Sequence, residues 1–231
     1  MPGCAVPGHA QASAVPDGPF GQLYPIFTSR QPFAVLHQSL WPKQALLPGS
    51  RCYTDASTLP DQIAPLSLKR AGVGIFIINT QVHPPQNIYI KAAICDSTSV
   101  IMAEAAAMAL AAAVSDRLQL QHTNFLTDSQ DLVNFFNSAD HSNPPDWRIK
   151  HLTQVFINYT QHRSTSTFKI RRSQNQIADT LARHALQLMQ DTPPNFSCTC
   201  SHSVHVNQCT LRDALQYALL DSVMVLTASC C

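Results

Sequence analysis

From Arg51 onward the apolar positions gather into short runs of definite period, whereas residues 1–48 show none. Cys52–Asp55, Val73–Ile78 and Ile88–Cys95 are brief apolar runs bounded by polar and turn-forming residues, the pattern of buried strands. The loop Leu59–Arg70, which carries Pro60 and Pro65, and the turn His83–Gln86 join them, and such short links predict an antiparallel meander. Ile101–Leu118 is rich in Ala and contains neither Gly nor Pro, so it predicts a helix capped by Ser97 or Ser99. Asn124–Thr127 predicts another strand, after which Ser129 caps a helix with Leu132, Val133 and Phe136 inward. A helix over Ile149–Tyr159, a strand over Thr167–Ile170 and a helix from Asn175 to Met189 follow. The last of these packs through Ile177, Leu181, Ala182 and Ala185.

Composition sets the frame around these elements. A chain of 231 residues can bury one ordinary core and carry tails. Residues 1–48, rich in Pro and Ala, read as a linker or remnant, 49–190 as the folded domain, and 191–231 as a tail containing Cys and His. That tail holds Cys198, Cys200, His202, His205 and Cys209 and an apolar helix over Leu211–Leu220. Its Cys-x-Cys opening departs from the usual knuckle spacing, which leaves zinc the less favoured reading. The longest apolar run, Ala105–Val114, falls short of the roughly 20 residues of a membrane span. No basic start precedes an apolar core, so the expectation is a monomer inside the cell, in nucleus or cytoplasm, with its cysteines mostly reduced.

Net charge is only +1, which excludes a global field for nucleic acid or membrane, but the charges are unevenly placed. Residues 96–146 hold seven acids against Arg117 alone, and residues 148–183 hold seven Lys or Arg against Asp179 alone. A cation and a phosphate could each have a side, or both segments could be solvated faces.

Four acids stand where chemistry is plausible. Asp55 closes the first strand, a place where Asp also bonds its own backbone in a turn. Glu104 lies on the packing stripe of Ala107, Met108, Ala111 and Val114, where a carboxylate is costly unless paired or metal-bound; the alternative is a solvated Glu at the helix edge. Asp128 precedes a helix start, which the helix dipole also favours. Asp179 has Arg183 one turn on, a pair worth about 0.3–0.5 kcal/mol when exposed.

The segments YTDAS at 53–57, AEAAAMALAAA at 103–113, FLTDSQDLV at 125–133 and RRSQNQIADTLARHAL at 171–186, taken in order, resemble a ribonuclease H. The resemblance spans roughly residues 49–190 and is greatest to the domain of that kind in plant non-LTR retrotransposon polyproteins. It implies an α/β, ribonuclease H-like fold: a mixed five-stranded sheet, its first three strands antiparallel, with helices on both faces. It further implies that Asp55, Glu104, Asp128 and Asp179 are catalytic and hold two Mg2+ ions, with Mn2+ as a substitute. The substrate implied is the RNA strand of an RNA/DNA hybrid, with Lys169, Arg171, Arg172 and Asn175 contacting nucleic acid. Many ribonucleases H carry a His six positions before the Asn of the last motif, whereas this chain has Lys169. A lysine cannot exchange protons near neutral pH as a histidine can, so activity is expected to be weak. A non-catalytic nucleic-acid-binding remnant and a module organised by the Cys-rich tail are the other readings. Removal of the tail after Asp191 is expected to leave the site intact.

Overall fold

The first strand, β1, runs Ser50–Thr58 and is buried along nearly its whole length. It pairs antiparallel with β2 (Arg70–Asn79), and β2 pairs antiparallel with β3 (Gln86–Cys95), which is the predicted meander. This is a computed structural model that describes residues 47–58, 70–95, 97, 99–191, 197–200, 210–217 and 223–231. The chain divides into Met1–Pro48 and Gly49–Cys231, and every element named here belongs to the second. The expected loop over Leu59–Arg70 lies almost wholly outside the described residues.

Helix α1 (Val100–Arg117) follows, capped by the Ser99 hydroxyl, which accepts from Met102 N. Its Ala-rich sequence suits a helix buried nearly all round, from Ala103 to Ser115. Then come β4 (His122–Thr127), α2 (Gln130–Phe136), a 3-10 turn at Trp147–Ile149, α3 (Lys150–Thr160), β5 (Ser164–Lys169), a second 3-10 turn at Arg172–Gln174 and α4 (Gln176–Asp191). β4 lies parallel to β1, and β5 parallel to β4. The class is therefore mixed α/β, as expected.

The sheet has seven strands rather than five, in the order β5-β4-β1-β2-β3-β7-β6. The added pair are β6 (Ser197–Cys200) and β7 (Val223–Cys230), separated by helix α5 (Thr210–Tyr217). β7 runs antiparallel along β3, and β6 parallel along β7. Val223 and Val225, then Ala228 and Cys230 beyond a bulge, turn into the core from β7, an alternation that the Cys-rich ending had overshadowed. β7 covers Ile88–Ile94 of what would otherwise be an open edge on β3.

Alternate residues of β1 face different layers. Thr54 donates its hydroxyl to the Met108 sulfur of α1, whereas Asp55 lies opposite Gly74 on the face that receives α4. The main core fills the α1 side, with Cys52, Ile75, Ile90, Met108, Phe125 and Phe156 among its buried members. On the other side α4 approaches so closely that a Cβ at Gly72 would collide with the Ala182 carbonyl oxygen, and one at Gly74 with that of Ala178. No described helix is long and apolar enough to cross a membrane.

Gly74→Ala should lower stability by about 1–3 kcal/mol, because α4 must move off the sheet; urea unfolding at unchanged slope measures it. Truncation after Asp191, expected from the sequence to be neutral, strips β7 from β3. The truncated chain should lose soluble yield, and a soluble product with the parent's thermal midpoint would show that the β3 edge needs no cover.

Candidate functional site

Asp55 sits in β1 three residues before its end, not at its close as the sequence suggested. β1 continues because β2 keeps bonding it as far as Thr58, while its pairing to β4 ends at Tyr53 and Leu126. The result is a notch beside β1 beyond the last β4 rung, just past the end of β4 at Thr127. Asp128 follows at the rim, half-buried. β3 runs in the same direction as β1, so α1 starts from this end of the sheet and brings Glu104 to the notch in its second turn.

Asp55, Glu104 and Asp128 each offer a carboxylate oxygen within 4.8 Å of the others. Asp55 is fully buried; its Oδ1 accepts from Ala56 N at 2.8 Å, the self-bonding expected of a turn Asp. Its Oδ2, and Oε2 of the equally buried Glu104, have no hydrogen-bond partner among the described residues. Burial, then the charges of Asp128 and Asp179, push the Asp55 carboxyl up to about 7, although the Ala56 N–H opposes this. Burial, then Asp55 and Asp128, hold the Glu104 carboxyl well above the usual range.

Asp179, in the first turn of α4, lies outside this group of three. Its carboxylate is held by Arg183, with Nη2 at 2.8 Å from Oδ2 and Nε at 3.2 Å from Oδ1. Its charge still reaches Asp55, so it stands beside the cluster without joining it. Lys169 donates from Nζ to the Asp128 carbonyl oxygen at 2.6 Å, and Arg172 Nε lies 3.5 Å from Asp128 Oδ2. Arg171 is exposed. Asn175 is buried: its Nδ2 donates to the Thr54 carbonyl oxygen at 2.8 Å, which ties the start of α4 to β1 next to Asp55. From this buried position Asn175 braces the site.

Sequence reasoning missed Gly74, the cross-strand partner of Asp55, which lets α4 and Asp179 come close. The signal was the Gly72-x-Gly74 spacing inside a strand. The opposed charge segments do meet, in Arg172–Asp128 and in Arg163–Asp116 at 2.8 Å.

The donor set fits a hard divalent cation. All donors are carboxylate oxygens, with no sulfur or nitrogen ligand in the cluster, and Asp55 and Glu104 can bond one another only while one of them holds a proton. Both buried acids bind protons more tightly in the folded state than the ordinary carboxylate value near 4 allows in the unfolded chain. Between that value and about 7 the folded state thus holds more protons, and metal-free stability falls as pH rises through this window. Added Mg2+ should raise the thermal midpoint more at pH 8 than at pH 5, because the cation replaces those protons. A midpoint at pH 8 that ignores both Mg2+ and chelator would remove the metal from this site.

The profile of the reverse transcriptase-like family matches residues 69–185, just over half of the chain. No curated protein matches. Among solved structures, the N-terminal RNase H domain of a Mycobacterium tuberculosis protein aligns with 61% of this chain and 95% of its own, at 15% identity and a TM-score of 0.50. RNase H1 from the archaeon Halobacterium salinarum covers 60% of this chain and 97% of its own, at 17% identity and a TM-score of 0.44. LC11-RNase H1, solved with an RNA/DNA hybrid, covers 62% and 99%, at 18% identity and a TM-score of 0.45. With that profile matched and the M. tuberculosis domain sharing its architecture, this chain has a ribonuclease H-like fold and belongs to the reverse transcriptase-like family.

Proposed function

We propose that this chain is a divalent-cation-dependent endoribonuclease that cuts the RNA strand of an RNA/DNA hybrid, derived from a plant retroelement of the non-LTR class. The observation that carries the reading is the convergence of Asp55, Glu104 and Asp128 within 4.8 Å, two of them buried. Four ordered motifs and the family profile support the same reading.

Asp55, Glu104 and Asp128 would hold Mg2+, or Mn2+ in its place, and Asp179 would join them on release from Arg183. Two such ions, when bound, supply an acidified attacking water and a charge opposite the leaving 3'-oxygen, giving 5'-phosphate and 3'-hydroxyl ends. The chain's own residues set the geometry. Asn175 fixes α4 to β1, so Asp179 keeps its distance to Asp55. Lys169 pins the Asp128 carbonyl and acts on the reaction through Asp128, as a positioning residue. Arg172, largely exposed on its contact with Asp128, is free to turn to a phosphate, and Arg171 stands exposed beside it. Such contacts read backbone and 2'-hydroxyl, so sequence specificity is not expected.

A second reading, a non-catalytic nucleic-acid-binding remnant, draws on the engagement of Asp179 by Arg183 and on Lys169 in the place of a proton-exchanging His. A labelled-hybrid cleavage assay with and without Mg2+ decides between them: cleavage only with Mg2+ is expected, and binding without cleavage at any metal concentration would select the remnant.

Asp55→Asn should lower cleavage by more than about a hundredfold while hybrid affinity and circular dichroism stay near parental. Cleavage at the parental rate would remove Asp55 from the centre of the site. Lys169→His should raise kcat, and Lys169→Ala should weaken hybrid binding in a salt-dependent way. Single-turnover rates and a salt titration separate the two effects, and a fast parent with no gain from His would show that Lys169 does not stand in the place of the family His.

A further inference from the structure

Among the described residues three large apolar side chains are exposed, and two of them, Val100 and Trp147, stand at the same end of the sheet as the carboxylates. Topology fixes this placement. β1, β4 and β5 run parallel and α3 returns the chain from the finish of β4 to the start of β5, so the turn Trp147–Ile149 that leads into α3 stands where β4 finishes. α1 opens at that end as well, with Val100 its first residue, and the turn packs against α1. Val82, the third, lies in the β2–β3 turn at the opposite end.

Trp147 is 82% exposed although its backbone is held firmly. Asp146 caps the turn by accepting from Arg148 N at 2.9 Å and from Arg148 Nε at 3.0 Å, and Ile149 is buried. A large aromatic side chain projecting into water from a fixed backbone is suited to stacking and adds nothing to the core. Lys150 and His151, both exposed, open α3. The Lys150 cation in the first helical turn opposes the helix dipole, so it does not serve the helix. An exposed ring next to the Asp146–Arg148 pair, with the Lys150 ammonium and the His151 imidazole on the following turn, matches the chemistry of a single-stranded nucleic acid, whose bases stack while its phosphates meet a cation and N–H donors.

We propose that Trp147 is a stacking platform for an unpaired base on a strand running off the carboxylate cluster, with Lys150 and His151 taking the adjoining phosphates. This rests on the reading of the chain as a nuclease for hybrids, and it adds a preference: hybrid flanked by a single-stranded stretch over blunt hybrid.

The chain has two tryptophans, so in full-length Trp41→Phe the emission reports Trp147 alone. That protein is titrated, without metal, with a dye-labelled blunt hybrid and with the same hybrid carrying a single-stranded overhang, dye anisotropy giving the affinity of every variant and Trp emission reporting Trp147 where it is present; cleavage of both is then measured with Mg2+. The overhang should quench the emission and bind about tenfold tighter than the blunt hybrid. Trp147→Ala should abolish that difference while leaving blunt-hybrid affinity and cleavage unchanged, and Trp147→Phe should keep most of it. Equal affinity for both hybrids in the parent, or the same preference in Trp147→Ala, overturns the platform and leaves the nuclease reading standing. Failure of the parent to bind or cut either hybrid overturns both.

Discussion

Two buried acids, Asp55 on a strand and Glu104 on a helix, are held against one another near a third, and the rest of this site follows from that constraint. A carboxylate taken out of water is tolerable if it is neutral or if it meets a cation. Without metal the protein takes the first course, as the raised Asp55 and Glu104 carboxyls indicate, and it remains primed for the second. The surrounding framework resists relaxation. β1 is fastened on both sides up to the notch, α1 is buried over most of its length, and α4 is seated on glycines with Asn175 as its pin. A looser scaffold would let the acids swing apart into solvent, and the site would lose its reason to bind a cation.

Much of this was legible in the sequence because the relevant signals are local. Ala-rich composition marks α1, and one acid inside it is conspicuous whatever the fold. Asp128 between a strand and a helix cap is equally local. What escaped depends on contacts between distant segments. The length of β1 beyond Asp55 is set by β2 and not by its own residues. That Asn175 donates to Thr54, far away in sequence, is not written in the residues around it. The engagement of Asp179 by Arg183 was visible as spacing, but its exclusion from the cluster needs the positions of three other side chains. β7 was hidden for a related reason: a strand at the end of a sheet shows itself by the edge it fills.

That β7 fills the edge of β3 has an implication for how the molecule comes into being. The chain emerges from the ribosome in order, so β1, β2, β3 and all the acids are made well before Val223–Cys230. During that interval β3 displays an open hydrogen-bonding edge along Ile88–Ile94 with nothing from its own sheet to occupy it. The nascent protein is therefore most prone to pairing with a neighbour while its chemistry is already encoded but its sheet is still open, and the length of that interval is set by translation speed rather than by any property of the site.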